Sequence, residues 1–110
     1  MLDPLSYPWE KFSTALFSLA REGPLQSRLH GAYMSFHPLR AQDFNDPGLR
    51  DRYQEIMRRL TAVKNSEKGH VPATLEKMSD EEAGEVANLI LDITFAIASA
   101  RLEAARQKSN

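Results

Sequence analysis

The sequence predicts an all-α fold, an irregular four-helix bundle with a long C-terminal helix, built by residues 1–110 as a single helical domain. Three observations lead there. Apolar residues recur at helical spacing in four segments, and no stretch alternates β-branched or aromatic residues with polar ones over a strand's length. Helix start and stop signals bound those segments. The composition, 42% hydrophobic and 26% charged with net charge −1, is that of a chain that can bury a core and has no excess charge to keep it unfolded.

The first helix is expected from about Tyr7 or Pro8, with Ser6 as its N-cap. Trp9, Phe12, Leu16, Leu19 and Ala20 form its apolar stripe, and Gly23-Pro24 ends it. Pro24 opens the second helix, whose apolar side is Leu25, Leu29, Ala32, Tyr33 and Phe36. Gly31 inside that helix costs about 1 kcal/mol relative to Ala. It is either a tolerated defect or the mark of a closely approaching neighbour. His37-Pro38 ends the segment.

The third helix has the clearest start, with Asp46 as N-cap and Pro47 as first residue. Leu49, Tyr53, Ile56, Met57, Leu60 and Val63 face inward, and Glu55 is placed to pair with Arg59. NSEKGH reads as a mobile polar loop, and VPATLEK as at most one short helical turn opened by Pro72. Ser79 and Glu82 make a capping box for a last helix running from about Asp80 to about Arg106. Its acids lie early and Arg101, Arg106 and Lys108 lie late, which suits the helix dipole.

That last helix poses the main question. In EVANLILDITFAIASARL, residues 85–102, twelve of eighteen are Ala, Val, Ile, Leu or Phe. At about 100° per residue, Val86, Ile90, Ile93, Ile97 and Ala100 form one stripe. Ala87, Leu91, Ala98 and Leu102 form a second, and Phe95 falls beside it in the polar wedge. Either shorter helices wrap both stripes, or the second faces a partner. Phe17, off the stripe of the first helix, raises the same choice.

The leading expectation is therefore a non-catalytic interaction module. Its interface would be Ala87, Leu91, Phe95, Ala98, Leu102 and Phe17, and its partner a second copy or another protein. The alternative is a small-molecule-binding or regulatory protein with an interhelical pocket edged by Tyr33, His30 and Asp92.

Other classes find little support. The chain has no Cys, so it has no disulfide framework or thiol nucleophile, which fits a reducing, cytoplasmic location. The start MLDPLSYPWEKF lacks the charge-then-apolar order of a signal peptide. No metal site is expected: His30 and His37 lie roughly 10 Å apart along a helix, neither H-x-x-x-H nor H-E-x-x-H occurs, and nothing specifies Asp43 or another acid to complete a site with His37. No phosphate-cradling glycine pattern occurs and no cofactor is expected. The acids near residue 80 already have a capping role, so no catalytic residue is expected. The near-neutral charge argues against nucleic acid or membrane as main partner. Arg50, Arg52, Arg58 and Arg59 are interleaved with acids, as on a solvated face.

Overall fold

The computed structural model describes residues 3–108. It contains five α-helices: α1 (Ser6–Leu19), α2 (Leu25–Phe36), α3 (Pro47–Leu60), α4 (His70–Lys77) and α5 (Asp80–Lys108), with a 3-10 turn at Ala41–Asp43. No strand occurs among the described residues. The molecule measures 50 × 28 × 19 Å. Its long axis matches the roughly 44 Å expected of a helix of α5's 29 residues at 1.5 Å each.

One cluster of buried side chains draws on every helix. Phe12, Leu29, Phe36, Tyr53, Ile56, Leu60, Val71, Leu75, Val86, Ile90, Ile93 and Ile97 all belong to it. Phe12 is its aromatic hub. It stacks on Phe36 with ring centroids 4.7 Å apart and meets Tyr53 edge-on at 6.3 Å. Leu39 and Phe44, outside any α-helix, are also buried. Their segment is tied down by the Tyr53 hydroxyl, which donates to the Leu39 carbonyl. Arg50 Nη2 donates to the Phe44 carbonyl at 2.9 Å. Burial pushes the Tyr53 phenol up to about 12.

Gly31 marks a close approach. A Cβ there would lie 3.3 Å from the Ser18 Cβ on α1. Arg28 closes the same junction, donating to the Leu19 carbonyl at 2.7 Å and the Gly23 carbonyl at 3.0 Å. It thereby satisfies the Leu19 carbonyl left open at the end of α1 and a carbonyl of the turn that follows. Gly23 adopts φ 108°, the left-handed conformation expected of the stop signal.

The strong caps form as expected. Asp46 accepts from the Gly48 N–H at 2.7 Å and, more weakly, from Leu49 at 3.3 Å. Ser79 and Glu82 each accept from the other's N–H at 3.1 Å. These bonds hold the Glu82 carboxyl below its ordinary range.

Four local details differ. Ser6 is the first helical residue rather than the cap; the N-cap is Leu5, which has no side-chain cap, and Asp3 accepts from the Leu5 N–H at 2.9 Å in the turn before the helix. Glu55 pairs with Arg58 at 2.6 Å, and Arg59 instead reaches Glu85 on α5 at 2.8 Å. The single turn expected near Pro72 is an eight-residue helix beginning at His70. The loop before it is held by hydrogen bonds: Asn65 Oδ1 accepts from Glu67 and Lys68, and His70 Nδ1 accepts from the Asn65 N–H. Thr74 on α4 accepts from the Val63 N–H at 2.9 Å.

Candidate interaction surface

The inner side of α5 carries Ala83, Val86, Ile90, Ile93, Thr94 and Ile97, all buried. Thr94, the polar member, donates to the Ile90 carbonyl at 2.7 Å, so its hydroxyl is satisfied within the helix. On the outer side the shorter helices stop short. Leu91 is 36% exposed, Phe95 65% and Leu102 55%. Ala87 and Ala98 are half-buried along the border of this strip. Only one of the two apolar stripes is therefore covered by the chain's own helices.

Phe17 on α1 is 74% exposed. Its relation to the α5 strip follows from how the two helices dock. Arg101 Nε donates to Asp3 Oδ2 at 2.7 Å, and its guanidinium lies 5.6 Å from the Trp9 ring centroid. The Arg101 hydrogen bond, helped by the Leu5 N–H, holds the Asp3 carboxyl below its usual range. At the opposite end, Gln26, just past the α1–α2 turn, donates to Asp80 Oδ1 at 2.9 Å. Asp3, just before α1, thus lies near the end of α5, and Gln26, just after the α1–α2 turn, lies near its start, so α1 runs antiparallel to α5. Equal steps along the two helices from the Trp9–Arg101 contact bring Phe17 level with Ile93, between Leu91 and Phe95. Phe17 turns only about 80° further outward than Trp9. Phe17 is thus exposed on α1 at the axial level of the α5 strip, on the side of α1 turned away from buried Phe12 and Ala15.

Polar groups edge the strip. Glu81, Asn88, Asp92, Ser99, Glu103 and Arg106 are all exposed on α5. Acids occupy its first turns and cations its last ones, so the surface is electrically graded along its length.

The pocket residues expected for the alternative reading are not brought together. His30 borders an open concavity of about 520 Å³ between α2 and α4, with Gln26, Lys68, Pro72 and Glu76. Tyr33 instead packs edge-on against Phe36 at 5.9 Å and lies 5.5 Å from the His37 ring. Asp92 stands exposed on the outer side of α5. A second concavity, about 450 Å³, lies where α3, α4 and α5 meet. Arg59, Lys77, Glu82 and Glu85 border it, and the Arg59–Glu85 pair cancels much of its charge.

Residue spacing had not singled out Met34 and Tyr7, which are also exposed. Nor had it shown Arg101 as the clamp that sets the α1–α5 register. A cation late in a helix carries no sequence signal for a contact 98 positions away. No protein-family model, curated protein or solved structure matches this chain.

Proposed function

We propose that this chain is a non-catalytic interaction module that self-associates through the outer side of α5 and the adjoining flank of α1. The observation that carries this reading is the exposure of Leu91, Phe95 and Leu102 along one side of α5, with Phe17 exposed on the neighbouring α1. Single exposed apolar residues are ordinary, but a contiguous strip rimmed by polar groups is the signature of a contact surface.

Area supports the inclusion of α1. A helix roughly 44 Å long and about 10 Å wide presents on the order of 400 Å² in projection. A stable interface covers about 800 Å² on each partner. The whole outer side of α5 would supply about half of that, and the strip from Leu91 to Leu102, about 16 Å long, well under half, so the exposed flank of α1 carrying Phe17 is included to supply more. By length and composition α5 also resembles a membrane span, and a third of its most apolar window is buried in the protein. Its inner side is the core itself, so insertion would require the bundle to unfold.

The test is molar mass by light scattering over a wide concentration range. The wild-type chain is expected as a dimer, and Leu91→Asp as a folded monomer with an unchanged helical spectrum. A wild-type chain that stays monomeric at the highest concentration would end the proposal. So would a Leu91→Asp chain that loses its fold. A second use of the molecule, as a receptor for a small polar ligand at His30, rests on the α2–α4 concavity; it predicts a metabolite that raises the melting temperature.

A further inference from the structure

We infer that the two copies pair antiparallel along α5, around a twofold axis passing midway between Ala96 and Ile97. In this pairing each Phe95 seats on the partner's Ala98, and each Arg106 lies beside the partner's Glu85. The inference rests on the self-association reading above and adds its geometry.

Size matching gives the first argument. Leu91, Phe95, Ala98 and Leu102 have the same spacing read from either end. Reversing one helix therefore superimposes the strip on itself, with Leu91 against the partner's Leu102 and Phe95 against the partner's Ala98. Large meets small twice, as an isologous contact requires. A parallel pairing would put Phe95 on Phe95 and Ala98 on Ala98, leaving a bulge beside a gap.

Charge gives the second. Asp80, Glu81, Glu82 and Glu85 crowd the start of α5, and Arg101, Arg106 and Lys108 its end. Parallel helices would set acid beside acid and cation beside cation. Antiparallel helices set each end against its opposite. Arg106 and Glu85 share one flank of the strip, and reversal brings them within about 3 Å of the same level. Glu85 is 55% exposed even in its ion pair with Arg59, so it retains room for a second cation. Arg106 makes no intramolecular ion pair among the described residues.

The chain contains no Cys, so introduced thiols report orientation cleanly. Leu91→Cys and Leu102→Cys chains, one carrying a mass tag, are mixed and oxidised mildly. The mixed disulfide is expected to dominate. Two Leu91→Cys sites would lie about 16 Å apart along the antiparallel pair, beyond the roughly 7 Å that a disulfide tolerates. Predominant self-linked products would mean parallel pairing and overturn the inference. Absence of any cross-link in a chain that is dimeric by mass would mean a different interface and overturn it too. Arg106→Glu is expected to weaken the dimer about ten-fold, and adding Glu85→Arg to restore it; no recovery counts against this register. Phe95→Asp separates the two levels. If the wild-type chain is monomeric, or Phe95→Asp leaves the dimer intact, the self-association reading itself falls. If Phe95→Asp splits the dimer but self-linked products dominate, only the orientation falls.

Discussion

Ile90 and Leu91 are neighbours in sequence and their side chains are isomers, yet they live in different surroundings. Ile90, with Ile93 and Ile97, is fully buried, whereas Leu91 is partly exposed and Phe95 and Leu102 mostly so. Apolar character alone therefore does not assign a residue to the core. Burial depends on what other elements of the chain reach that side of the helix. On the inner side α1, α2 and α3 do; on the outer side coverage stops at the half-buried Ala87 and Ala98.

The largest contrast should come from truncating side chains on each side. Phe12→Ala, at the aromatic hub, should destabilise by about 3–5 kcal/mol and Ile93→Ala by about 2–5, both read from urea unfolding. A smaller loss at these two positions would mean that the inner packing is looser than the contacts indicate. Next comes the buried phenol on the inner side. Tyr53 is raised from 10.0 to about 12, so the folded state holds its proton longer than the unfolded state does. Its contribution is full below pH 10 and drains as pH rises towards 12, a loss of order 2 kcal/mol. Tyr53→Phe should abolish that alkaline slope, and a slope that persists would place its origin elsewhere.

Three substitutions near the start of α5 should have smaller effects. Ser79→Ala removes the cap and should cost about 1 kcal/mol. Because the Glu82 carboxyl is held below its ordinary range, its share is present above about pH 4.5 and is lost as pH falls through the lowered value. A Glu82→Gln chain should therefore show a shallower acid-side loss than wild type in thermal melts. Gly84 meets nothing within 4 Å at the place a Cβ would occupy. Gly84→Ala should accordingly raise monomer stability by up to about 1 kcal/mol. A fall instead would reveal a constraint on that residue. Smallest of all, Leu91→Ala should leave monomer stability within about 0.5 kcal/mol while weakening association. A cost as large as that of Ile93→Ala would erase the distinction between the two sides.

Much of the bundle was legible in advance because its signals are local. Asp46-Pro47, Gly23 and the Ser79–Glu82 box act within a turn of their own position, and each forms. Gly31 was legible as a question, answered by the Ser18 Cβ. The failures involve choices between partners. Glu55 has Arg58 and Arg59 within reach, and Glu85 on another helix takes Arg59 away. The helix α4 is short, contains Pro72 and has little intrinsic helical drive. It is stabilised by burying Val71, Ala73 and Leu75 and by the Thr74 link to Val63. His30, Tyr33 and Asp92 were grouped on polarity, and the docking of α2 and α5 sends them to three different surroundings.

What the amino-acid sequence determined by itself was where the helices run and that α5 has two apolar sides, because both follow from backbone hydrogen bonding and a fixed rotation per residue. Which side is core is decided by where the other helices dock, since coverage depends on contacts between residues far apart along the chain.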